Sequence, residues 1–242
     1  MKSIFFVLAI SAAFAATETS KKDHNFYIGA SLSQCALTGK RNDLGTNTTP
    51  LNKTLVDNKT VRSNGIYAGI IAGYLFRIEN FGIGPEFFYN YGRIENKIDS
   101  THLDPAGPHD TKFQASYKIT NQKGLYLRLG YFLDSYFLYT LLGIHSQTGY
   151  FEAKGTKSDL GLAPQVIDGA YKSKAKSLSS FSFGLGVQKA IAENYAVGIE
   201  CKFATFPIKY FAFNLSDNER TKLTSNFRYQ LRSVALKVMY VF

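Results

Sequence analysis

The chain has 242 residues, 45% hydrophobic and 15% aromatic, with 20 Phe, 16 Tyr and no Trp. Twenty Gly against six Pro suit strands with small positions better than disorder, and a formal net charge of +10 suits anionic neighbours such as phosphates or sulfated sugars. Beyond the N-terminal segment no apolar run reaches the roughly 18 residues of a spanning helix, and two cysteines are too few for a disulfide scaffold.

Residues 1–15 have the pattern of a secretory signal: Lys2 in the positive region, an apolar core over 4–13 and an Ala13-Phe14-Ala15 cleavage site. No cysteine follows the cleavage point, which argues against a lipoprotein. The expected organisation is a signal peptide and one domain over 16–242, with nucleic acid excluded as a partner by export.

Eight segments then alternate apolar and small or polar residues with period two: 26–37, 62–77, 81–94, 112–132, 136–151, 179–191, 195–211 and 226–242. The connections alternate in length. Ile78-Glu79-Asn80, Leu133-Asp134-Ser135 and Ala192-Glu193-Asn194 are short and suited to tight turns, whereas 38–61, 95–111, 152–178 and 212–225 are long and polar. Short turns at one end and long loops at the other predict an antiparallel up-and-down barrel crossing an outer membrane, with both termini periplasmic.

Alternation alone does not separate a lipid-facing barrel from a soluble sandwich, so the second face matters. Phe181, Phe183, Leu185 and Val187 alternate with Ser182, Gly184, Gly186 and Gln188; Tyr195, Val197, Ile199, Cys201 and Phe203 alternate with Ala196, Gly198, Glu200, Lys202 and Ala204. So many small residues belong inside a narrow barrel filled by side chains, not on a water-facing sheet. The apolar parity is unbroken over 136–144, 195–203 and 234–242, and over 66–76 and 81–91. These lengths match the about 9–11 residues a tilted strand needs to cross the hydrocarbon layer. Phe76, Phe81, Tyr131, Tyr136, Tyr195, Tyr240 and Phe242 collect beside the short turns or the terminus, as in an aromatic girdle. In the closing segment the parity flips, with Phe227, Tyr229 and Leu231 apolar below Val234, which predicts a bulge near Arg232–Ser233.

The segment from Gly184 to Glu200, Gly-Leu-Gly-Val followed by Ala-Glu-Asn-Tyr-Ala-Val-Gly-Ile-Glu, and the closing Val-Ala-Leu-Lys-Val-Met-Tyr-Val-Phe resemble the small outer-membrane barrels grouped with the OmpA transmembrane domain and the opacity-type porins. The resemblance spans 16–242. It implies that Phe242 and Tyr240 lie in the terminal aromatic signal read by the barrel-assembly machinery. The family's peptidoglycan-binding domain is not expected, since the sequence stops at the last strand.

Inward positions near mid-membrane hold Glu86, Arg128, Glu200, Lys202 and Lys237, with His145 nearer the loop end. Charges in a narrow lumen must pair, and Glu86–Arg128 and Glu200–Lys237 fall on neighbouring strands. They predict a polar plug, with a gate that re-pairs to admit small ions as the alternative. His102 and His109, near Asp104 and Asp110, are solvated loop residues or a transient metal site; no Gly-x-Ser-x-Gly or His-Glu-x-x-His is present, and neither an enzyme nor a cofactor or resident metal is expected. Cys35 and Cys201 fall on non-adjacent strands, so free thiols are expected.

The long loops are basic. Lys154, Lys157, Lys172, Lys174 and Lys176 crowd the third and point to contact with host or environmental polyanions. Arg62, Arg93, Lys123 and Arg232 fall on the outward parity beyond the apolar band, where they would meet outer-leaflet lipid phosphates or snorkel. The functional expectation is a non-enzymatic surface protein of a Gram-negative envelope, an adhesin or surface antigen. The alternatives are a low-conductance porin and a mainly structural barrel.

Overall fold

The computed structural model describes residues 24–47, 55–103, 109–159, 171–172, 176–214 and 221–242, with side chains over 25–40, 60–97, 116–150, 177–206 and 228–242. Nine strands occur there: β1 (His24–Asn47), β2 (Leu55–Ile78), β3 (Phe81–Leu103), β4 (His109–Leu133), β5 (Tyr136–Asp159), β6 (Tyr171–Lys172), β7 (Lys176–Ala192), β8 (Tyr195–Asn214) and β9 (Thr221–Val241). Each long strand pairs antiparallel with the next, β5 pairs with β7, and β9 returns to β1, so eight strands close a barrel with no free edge. The short β6 adds only Tyr171 and Lys172 against Ala153 and Glu152 of β5.

Closure follows from the alternation. Phe26, Ile28 and Leu32 of β1 face outward and stay exposed, while Tyr27, Ser31, Ser33 and Cys35 point into the lumen. The outer surface is an apolar belt, with Tyr91 71% and Ile66 68% exposed, a surface that suits lipid and not water. No helix among the described residues is long and apolar enough to cross a membrane; the crossing is made by strands. Girdle aromatics meet at the short-turn end: Phe26 and Phe242 lie 5.3 Å apart, Phe81 and Tyr131 5.2 Å, Tyr195 and Tyr240 5.3 Å.

The three short turns are Glu79-Asn80, Asp134-Ser135 and Glu193-Asn194. Glu79 and Asp134 adopt left-handed backbone, with φ of 53° and 51°. Asp accepts that conformation more readily than Glu. The asparagines of two turns reach the girdle: Asn80 Nδ2 donates to the Tyr131 hydroxyl at 3.2 Å, and Asn194 Nδ2 to the Tyr240 hydroxyl at 3.0 Å.

Two features differ from the sequence reading. Much of the four long polar connections is strand: β1 and β2 remain paired up to Gly45–Leu55, and β4 and β5 up to His109–Asp159. Above the bilayer, backbone groups still need partners, and continued hairpin pairing supplies them without any apolar pattern. Second, β9 has no bulge at Arg232–Ser233; its register runs unbroken there against both β1 and β8. The irregularity lies on β8, between Phe206 and Lys209. Tyr229 and Leu231 keep the inward parity of Ser233 and Lys237, because the upper lumen is apolar.

Candidate functional site

The lumen is filled in layers. Toward the short turns, Tyr27, Leu75, Phe137, Tyr139, Leu141, Ala196 and Met239 belong to one apolar cluster, with Phe132 and Val241 packed against it. Toward the loops, Leu37, Val61, Tyr67, Ile94, Ile119, Leu178, Phe206, Tyr229 and Leu231 belong to a second. The five charged side chains are all buried as well.

They form one connected network. The Lys237 ammonium donates to Glu86 Oε1 at 2.7 Å and also to Glu200 Oε2. Lys202 Nζ lies 2.8 Å from Glu200 Oε1, and Arg128 Nη1 lies 3.4 Å from Glu86 Oε2. Each carboxylate accepts a tyrosine hydroxyl too: Tyr27 to Glu86 at 3.0 Å and Tyr139 to Glu200 at 3.2 Å. Two of the cations are seated on rings, with Arg128 Cζ 3.9 Å from the Tyr139 centroid and Lys202 Nζ 4.1 Å from that of Phe88. Such mutual satisfaction is what makes buried charge tolerable.

The sequence pairs Glu86–Arg128 and Glu200–Lys237 both meet. It missed three things. Lys237 spans from β9 to Glu86 on β3, a contact between strands that are not neighbours. Tyr27 and Tyr139 complete the carboxylate shells. Inward glycines make room for those rings, for a Cβ on Gly73 would collide with the Tyr27 hydroxyl, and one on Gly186 with the Tyr139 ring. The small inward residues were legible; what they accommodate was not.

Above the network, His145 is buried between Phe88 and Phe206, edge-on to both rings, with Tyr126 Oη 3.4 Å from Nδ1. Its Nε2 finds no hydrogen-bond partner among the described residues. No group of three His, Cys, Asp or Glu able to hold a metal occurs among the described residues. Cys35 faces the lumen and Cys201 lies on the opposite, outward parity of β8, both as free thiols. His102 and His109 have described backbone only, paired with Thr111 and Asp159; Asp104 lies outside the described residues.

Arg62, Arg93, Lys123 and Arg232 all project from the outer surface and are exposed. Arg93 is not free there: Nη2 lies 2.5 Å from Glu95 Oε2, and Lys118 Nζ lies 3.9 Å from Glu95 Oε1. Of the third-loop lysines, Lys174 lies outside the described residues, as do residues 1–23 with the expected signal peptide. The others are described by backbone alone: Lys154 opposite Gln114, Lys157 opposite Thr111, Lys172 opposite Glu152 and Lys176 opposite Gly149. At the terminus, the Phe242 amide donates to the Phe26 carbonyl at 2.9 Å, and the ring remains exposed.

The sequence pattern of the outer membrane protein beta-barrel domain family matches residues 5–242. No curated protein matches the chain. Solved structures match the chain at low identity. Ail, the attachment invasion locus protein of Yersinia pestis, solved with the heparin analogue sucrose octasulfate, is 13% identical over 88% of this chain and 99% of its own, with a TM-score of 0.33. The outer membrane protease OmpT of Escherichia coli is 11% identical over 89% and 97%, with a TM-score of 0.48. OprG of Pseudomonas aeruginosa is 13% identical over 92% and 98%, with a TM-score of 0.44.

Proposed function

The chain belongs to the family of outer membrane protein beta-barrel domains and is a multi-pass protein of the outer membrane; from that premise we propose that it is a non-enzymatic surface protein whose basic outer rim binds polyanions, in the manner of an adhesin or surface antigen. The observation that carries this reading is the return of β6 onto β5. Pairing Lys172 with Glu152 sets it beside the strand that carries Lys154 and Lys157, and Lys176 opens the next strand opposite Gly149. Lysines from three strands thus share one sector of the rim, and clustered like charge raises the local concentration of anionic partners. Replacing Lys154, Lys157, Lys172, Lys174 and Lys176 by Ser should abolish most binding of expressing cells to immobilised heparin. Binding equal to wild type would refute the reading.

Lower on the outer surface, we propose that Arg62, Lys123 and Arg232, with Arg93 from its pair with Glu95, meet lipid phosphates of the outer leaflet. Changing all four to Ser should weaken retention of the protein by anionic outer-leaflet lipid in mixed vesicles. During biogenesis the exposed terminal Phe242, with Tyr240 beside it at 4.9 Å, is the end presented to the barrel-assembly machinery.

A low-conductance pore is the second reading, favoured by the ionic character of the lumen layer. Two apolar clusters and the paired charges oppose it. Planar-bilayer recordings separate the two: the plugged barrel gives no steady opening, and sustained nanosiemens-scale steps would establish a pore.

A further inference from the structure

At the short-turn end the lumen opens into a vestibule of about 100 Å³, lined by Arg77, Arg128, Gln188, Phe132 and Phe137 among others. Both guanidinium planes are fixed by rings. Arg77 Cζ lies 4.1 Å from the Phe132 centroid and Arg128 Cζ 5.4 Å from that of Phe137, and the two phenyl rings stack at 4.5 Å. With a ring against each guanidinium, Arg128 has N–H groups to present, and Arg77 has its two Nη groups, its Nε being held by the Glu79 carbonyl at 2.8 Å.

Arg128 is 1% exposed, and its polar partners are few. Nη2 donates to Gln188 Oε1 at 2.9 Å; Nη1 faces Glu86 at 3.4 Å without hydrogen-bond geometry, and Nε has no partner among the described residues. Buried, charged donors left unmet are costly. A second observation is independent of that one. Among the described residues, Arg128, Lys202 and Lys237 of the network face only Glu86 and Glu200, so three cations meet two carboxylates. Tyr27 and Tyr139 contribute neutral hydroxyls there, and Asp134 and Glu193, which also line the mouth, are exposed on turns where water screens them.

We propose that this vestibule is a binding site for one small oxyanion, a carboxylate or a phosphate, taken from the periplasm and held between Arg128 and Arg77. One bound monoanion cancels the excess charge of the layer, and its oxygens accept the N–H groups that the protein leaves unmet. The planar fork of a guanidinium suits paired oxygens, which neutral or apolar solutes lack. Both apolar clusters lie in the same lumen, so the anion enters and leaves by the short-turn mouth and is retained, not transported.

The test uses the full-length, ¹⁵N-labelled protein in micelles, titrated separately with inorganic phosphate, acetate and chloride while arginine Nε–H resonances are followed. The Arg128 resonance is identified by its loss in Arg128→Lys. Arg77→Gln alters only the mouth, and its heat-dependent gel migration verifies folding. The expected result is saturable movement of the Arg128 resonance with phosphate or acetate, and affinity about tenfold weaker in Arg77→Gln, as for loss of one charge-assisted hydrogen bond. Saturation by phosphate alone defines a phosphate site, and by acetate alone a carboxylate site. A drift that never saturates and is equal in chloride means an adventitious ion only and overturns the proposal, as does unchanged affinity in Arg77→Gln.

Discussion

Lys237 is the residue on which the interior depends, because among the described residues it is the cation that touches both carboxylates. Removing its ammonium leaves Glu86 with Arg128 and the Tyr27 hydroxyl, and Glu200 with Lys202 and the Tyr139 hydroxyl, each in a wall of apolar and aromatic side chains. Breaking a buried ion pair from one side costs about 3–5 kcal/mol, because the partner charge stays behind. Lys237→Met should therefore lower the urea midpoint of the vesicle-inserted barrel strongly, read by the heat-dependent gel shift. Adding Glu86→Gln should deepen the loss, since it leaves Arg128 without its carboxylate. Glu79 shows the opposite case. Its left-handed backbone costs a non-glycine residue roughly 1 kcal/mol, and its own carbonyl accepts the Arg77 Nε bond at 2.8 Å. Glu79→Gly keeps that backbone bond and should raise the midpoint by a comparable amount, whereas an unchanged or lower midpoint would show that the turn is unstrained.

Among the elements, β9 separates what pattern reveals from what it conceals. Its lower half was legible: Val234, Leu236 and Val238 outward, and Lys237 inward toward Glu200. Its upper half was not, because two apolar parities in succession look like a bulge only if the lumen is taken to be polar throughout. The lumen near Tyr229 holds Phe206 at 5.1 Å and the Tyr117 hydroxyl at 3.2 Å, so an inward aromatic is satisfied there and the strand runs straight. Truncating Tyr229 to Ala should then cost about 3–5 kcal/mol by leaving a cavity, and Arg232→Ala on the outer face about 0.5 kcal/mol or less. Equal costs in the same unfolding assay would reverse the assignment of faces. The extended tops of β1 and β5 were illegible for a different reason. Their pairing satisfies backbone groups among polar residues, and such a hairpin leaves no hydrophobic period to find.

For the whole molecule, class and contents were legible to different degrees. Counting apolar positions against the bilayer gave the barrel, since the band length is a physical requirement of the solvent. Parity also told which charges face inward. It did not tell how far they reach, and so the β9-to-β3 contact of Lys237 and the tyrosines that rest over Gly73 and Gly186 emerged only in three dimensions. A barrel filled in this way should be insensitive to changes at the rim. The five-lysine variant proposed for polyanion binding should keep the wild-type urea midpoint and gel shift, and a lowered midpoint would mean that the rim contributes to closure.

The position of Lys237 on the last strand has a consequence for how the molecule is made. Glu86 belongs to β3 and Glu200 to β8, so both precede in the chain the strand whose lysine joins them. Until β9 zips onto β1 and β8, Glu86 and Glu200 have Arg128 and Lys202 but lack the ammonium that joins them, and water must remain to solvate the gap. Expulsion of that water and arrival of the final strand are thus one event. The joined network is a property of the finished circle and of no hairpin within it, which gives an incomplete barrel an intrinsic reason not to settle in the bilayer.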